Sequence, residues 1–238
     1  MMRGALALLM LSASPVLAAD TFALPQGCEA FVTIQSRSCA VEHHFVCAAD
    51  PEGIKRRASL SEDGMTYLGS TDREGQWVTS FYPELGDEET LEAAPADPAS
   101  LTELLANGVD TYDFQTLSDT VGTTRYVGQD RLTGTTETID GITLQQTEYN
   151  IRAYGPDGTE IWSSAGREYV SDRWRLFIGG TGRVTVPTET FDKDDRPVEF
   201  IFPGEPGFLS ANPKHDCGAM LSSAPSDLMP KEIAHDHL

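Results

Sequence analysis

Residues 28–47, CEAFVTIQSRSCAVEHHFVC, begin and end on cysteine and alternate in hydropathy on either side of a polar turn. Ala30, Val32 and Ile34 share one side of the first half; Val41, His43, Phe45 and Cys47 share one side of the second. This period of two marks half-buried strands. Folded back as an antiparallel hairpin around the loop 36–39, the stretch sets Cys28 opposite Cys47, Ala30 opposite Phe45, Val32 opposite His43 and Ile34 opposite Val41. One apolar face results, closed at its far end by a cystine, and Cys39 is left in the loop to meet Cys217. The chain has four cysteines, and an even number in an exported protein favours disulfides over free thiols. Two bonds are therefore expected, Cys28–Cys47 and Cys39–Cys217.

The same stretch could be taken for a metal site, but strand geometry opposes it. Four residues of strand span about 13 Å, so Cys39, His43 and Cys47 cannot share an ion. The C-x-x-C spacing of redox sites is absent. No metal and no cofactor is expected. His43 falls on the apolar face of the hairpin, as a core histidine does, and a catalytic imidazole is the alternative.

Targeting bounds the fold further. Met1, Met2 and Arg3 precede a short apolar run ending in Val16, Leu17 and Ala18, the form of a secretory signal peptide. The expected organisation is a signal peptide at 1–18, a single disulfide-stapled β domain at 19–217, and a loose tail at 218–238. No later stretch is long and apolar enough to cross a bilayer, so a soluble periplasmic protein is expected. The formal net charge of −20 repels phosphate backbones, which excludes nucleic acid as a partner class.

Turn signals such as EDG at 62–64, REG at 73–75, IDG at 139–141 and GPDG at 155–158 separate segments rich in Thr, Val, Ile, Tyr and Trp. That spacing predicts an all-β protein with minor α content: a curled antiparallel sheet, half-barrel or barrel, of about eight to twelve strands. In ITLQQTEYNIRAY the alternation changes phase, which predicts a bulge near Gln145 and Gln146. One short helix is expected at 98–106, capped by Asp97, with Leu101, Leu104 and Leu105 as its docking stripe and Gly108 past its end. The acidic, Pro-rich stretch 83–97 has the composition of a surface loop, or of a lid over a cavity. The prolines from Pro197 onward predict an edge strand followed by extended chain tied down by Cys217.

No nucleophile elbow, zinc-protease helix or phosphate loop is present. DKDD at 192–195 begins like a calcium loop, but Arg196 occupies a ligand position and the required glycine is missing. Asp110 and Asp113 form one of several acidic pairs that could serve as acid and base.

The segments DTYDFQT, RYVGQDRLTG, IDG and PVEFIFPGEPGF, spread over about residues 110–217, resemble secreted bacterial β-rich proteins of unknown function. That likeness implies a periplasmic build and assigns no site. The expected architecture is also similar to the periplasmic lipoprotein-carrier half-barrels, which shelter acyl chains in an apolar concavity. The leading expectation is a non-enzymatic periplasmic binding or carrier protein for an apolar ligand or an envelope partner. Trp77, Trp162, Trp174 and His43 are its candidate ligand-binding residues. The alternatives are a structural or protein-interaction module presenting an exposed apolar patch, and a hydrolase-type enzyme using His43 or an acidic pair.

Overall fold

The computed structural model of the protein describes residues 21–218; the expected signal peptide and nearly all of the expected tail lie outside them. In chain order the elements are β1 (Cys28–Ser36), β2 (Ala40–Cys47), β3 (Lys55–Ser61), β4 (Gly64–Thr71), β5 (Trp77–Tyr82), β6 (Asp87–Leu91), α1 (Leu101–Asn107), β7 (Val109–Ser118), β8 (Gly122–Ile139), β9 (Ile142–Tyr154), β10 (Glu160–Ser171), β11 (Leu176–Val186), β12 (Glu189–Asp194) and β13 (Pro197–Ile201). All the strands belong to one antiparallel sheet in the order β12-β11-β10-β9-β8-β7-β6-β5-β4-β3-β2-β1-β13. It is a meander with one exception, the last strand.

That exception sets the curvature. β12 and β13 are the two edges of the sheet, yet only Asp195 and Arg196 separate them in the chain. Three Cα steps reach at most about 11 Å, so the sheet curls until its edges are neighbours at this corner. The segment changes partners as it goes: β12 pairs with β11, Asp195 N–H donates to Gly180 O at 2.7 Å, and Pro197 then stands opposite Ser36 of β1. The sheet is not closed by a continuous ladder. Side chains fill the curl instead, with Val32 and Ile34 of β1 and Phe200 of the adjacent β13 meeting Leu144, Tyr169 and Ile178 from strands far away in the order.

The first hairpin pairs Cys28 with Cys47 and Ala30 with Phe45, as its alternation predicts, but a bulge at Phe31 then shifts the register. Val32 faces His44, Ile34 faces Glu42, and Val41 faces Gln35. The loop is the three residues 37–39, with Cys39 in the left-handed region at φ 54°, the usual third position of a three-residue hairpin loop. The bulge divides the apolar set. Val32 and Ile34 point into the curl, while Ala30, Val41 and Phe45 join Ala58 and Leu60 in a second core on the outer side of β1–β4. The segments before β1 and after β13 cover that outer core: Phe22, Leu24, Phe208 and Leu209 pack on it, and Leu209 N–H donates to Thr33 Oγ1 at 3.0 Å. Both disulfides have the expected pairing, and Cys39–Cys217 pins the C-terminal cover to the first hairpin.

Three further differences from the sequence reading have local causes. The helix is capped by Ser100, whose side chain accepts from Glu103 N–H, and not by Asp97, which bridges to Asp113; Gly108 ends it at φ 80° with its N–H on Leu104 O. The stretch 83–97 is not a loop throughout, because Asp87 and Glu89 turn inward to accept from Ser118 and Thr116 and so allow β6 to join the sheet. With β6 and β13 included the strands number thirteen. The expected phase change in β9 is present, but the extra residues belong to β8, between Leu132 and Thr136 opposite Gln146.

Candidate binding site

β3 has inverted polarity. Arg56, Ala58 and Leu60 alternate with Lys55, Arg57 and Ser59, and because the apolar side lies under the outer core, the cationic side faces the interior of the curl. Lys55 and Arg57 there share a cleft of about 40 Å³ with His44, Tyr67, Tyr82 and Trp77. Its opposite wall is the turn into β11, with Arg175 and Phe177. Lys55 Nζ donates across the cleft to Arg175 O at 3.4 Å.

Each guanidinium is positioned. Arg57 lies 4.6 Å over the Tyr67 ring and its Nη1 is 3.7 Å from Glu42 Oε1. Arg175 Nη2 donates to Glu74 Oε1 at 3.0 Å and to Thr102 Oγ1 at 2.8 Å, while its Nε donates to Arg73 O at 2.8 Å. Glu74 in turn accepts from Thr102 N–H at 2.8 Å and so ties helix α1 to the rim. Lys55 differs, because among the described residues no carboxylate stands within ion-pair distance of its Nζ. Burial, and then the Arg175 and Arg73 guanidiniums, push its ammonium below the usual lysine range, against a smaller pull from Asp72 and Glu74.

Behind Gly75, Trp77 and Phe177 a second cavity of about 20 Å³ reaches Asp130 and Glu168. Asp130 is hydrogen-bonded to Glu168 and stands directly opposite Asp110. Burial, and then the charge of Asp110, push Asp130 well above the carboxylate range. Burial pushes Asp110 up to about 6, against the Ser100 N–H that it accepts at 2.8 Å. Asp113 takes no part, since three residues along a strand place it on the other face, where it pairs with Arg125.

Of the residues singled out in the sequence, Trp77 lines the cleft, held edge-on against Phe114 and Tyr126. Trp162 is 1% exposed within the main core, and Trp174 packs on Phe200 and Phe202. His43 is sealed under the segment before β1, stacked on Phe22 at 4.9 Å and 3.0 Å from Thr33 Oγ1; burial, then the charge of His44, lowers its pKa to about 4. Its neighbour His44 is the histidine of the cleft. Both cysteines of CAVEHHFVC are consumed in disulfides to different partners. The cluster of Cys39, Glu62 and Cys217 thus offers a cystine and one carboxylate in place of thiolate ligands. No family model, curated protein or solved structure matches this chain.

Proposed function

We propose that the protein is a non-enzymatic periplasmic binding protein, and that its ligand is a small anion with an apolar part. The observation that carries this is the convergence of Lys55, Arg57 and Arg175 on an aromatic-walled cleft in a chain of formal net charge −20. A partly buried cation without a paired carboxylate is costly, and a bound anion offsets that cost. The aromatic rings supply an apolar wall. The volume argues for a small ligand; an acyl chain would need Trp77 and Phe177 to move aside and join the two cavities. Two disulfides fit an oxidising compartment. An interaction module is less well supported, because among the described residues the exposed large apolar side chains are Val46 and Leu117, on separate strands.

Calorimetric titration with benzoate, and with benzyl alcohol as its neutral counterpart, tests the reading. Benzoate should bind and benzyl alcohol should not, and Arg57→Gln or Lys55→Met should weaken benzoate. Equal binding of the two compounds, or indifference to both substitutions, overturns it.

A further inference from the structure

We infer that Lys55 is a carbonyl-reactive amine, and that the cleft takes small 2-oxo or aldehyde acids, their carboxylate on Arg57 and Arg175 and their carbonyl carbon at Lys55 Nζ. The inference rests on the anion-binding reading of the same cleft and adds a covalent step to it. Three observations carry it. First, the three cations differ in kind: a guanidinium keeps its charge at any relevant pH, whereas an ammonium can shed its proton and become a nucleophile. Second, the lysines differ in surroundings. Lys193 Nζ lies 3.6 Å from Asp195 and Lys214 Nζ 2.7 Å from Glu199, each with a carboxylate partner, while Lys55 Nζ meets a backbone carbonyl at 3.4 Å and faces guanidiniums. Desolvation beside cationic groups is the general means of freeing a lysine amine. Third, Lys55 lines the same small cleft, about 40 Å³ and bounded by Trp77 and Phe177, as Arg57 and Arg175.

The step balances without a co-reactant. The Nζ lone pair forms a C–N bond to the carbonyl carbon and the oxygen becomes a hydroxyl. Loss of that hydroxyl with a proton as water leaves a C=N bond, and water reverses the reaction.

The test is reductive trapping on the full chain. The protein is incubated with pyruvate or glyoxylate and sodium cyanoborohydride, and the modified lysines are mapped by peptide mass spectrometry. Lys55 should be modified faster than each of the other three lysines of the chain, since desolvation beside cationic groups leaves more of its amine unprotonated. The preference should saturate with pyruvate, fall in Arg57→Gln, and be smaller with acetaldehyde, which has no carboxylate and keeps only the advantage of the freer amine. Even labelling of all four lysines, or equal preference for Lys55 with acetaldehyde, overturns the inference. Benzoate binding without selective trapping refutes the reactive amine and leaves the anion site standing; loss of both refutes both.

Discussion

Asp110 and Asp130 stand directly opposite each other across β7 and β8, both turned into the curl and both less than a tenth exposed. Like charges at opposed positions repel, and in a medium of low dielectric two bare carboxylates at this distance are not sustainable. The pair therefore retains a proton at a pH where surface carboxylates have lost theirs. With Glu168 hydrogen-bonded to Asp130, the interior holds an acidic cluster just behind the cationic cleft.

The first prediction follows from the sign of that shift. Asp130 titrates higher in the folded chain than in the unfolded one, so the native state binds more protons between the two values. Its contribution to stability is full at low pH and is lost as pH rises through that window. Asp130→Asn should be more stable than the parent at pH 8, on the order of 2 kcal/mol, with the difference shrinking toward pH 4. Urea unfolding across pH measures it, and a difference independent of pH would sink the argument.

His43 predicts the opposite slope. Its folded pKa of about 4 lies below the ordinary value of 6.5, so the unfolded chain takes up the proton first. Stability from this group is full above pH 6.5 and is lost as pH falls toward 4, about 2 kcal/mol between pH 7 and pH 5. His43→Gln should flatten the fall. An unchanged slope in that variant would mean that the imidazole is not desolvated as described.

The two disulfides should contribute unequally. Cys39–Cys217 closes 178 residues of separation and Cys28–Cys47 closes 19. By the chain-entropy relation, removing the first as paired serines costs about 5 kcal/mol and removing the second about 3 kcal/mol. Guanidinium unfolding ranks them, and the reverse order would show that loop closure is not the governing effect.

Tryptophan substitutions should separate core from cleft. Trp162→Ala leaves a cavity in the main core and should cost about 3 to 5 kcal/mol while the remaining folded protein binds benzoate as the parent does. Trp77→Ala should cost less stability, since Trp77 is only partly buried, and should weaken benzoate about tenfold, roughly 1.4 kcal/mol. Calorimetry on both variants checks the split.

The sequence by itself determined the covalent frame and the fold class. Hairpin alternation put Cys28 beside Cys47 and left Cys39 for Cys217, and turn spacing announced a meander, because both signals are local. The bulge at Phe31 escaped it: a one-residue shift leaves composition unchanged yet sends Val32 and Ile34 inward and Ala30 outward. The cleft escaped it for a related reason. Lys55, Arg56 and Arg57 are three adjacent cations in the sequence, but the polar side of an alternating strand ordinarily faces water. Only the tertiary structure reverses that assignment: the segments before β1 and after β13 cover the apolar side of β3, and the curl brings Arg175, distant by 120 positions, over Lys55. Which face of a strand is inside depends on what covers it, and that cover comes from parts of the chain no local pattern connects.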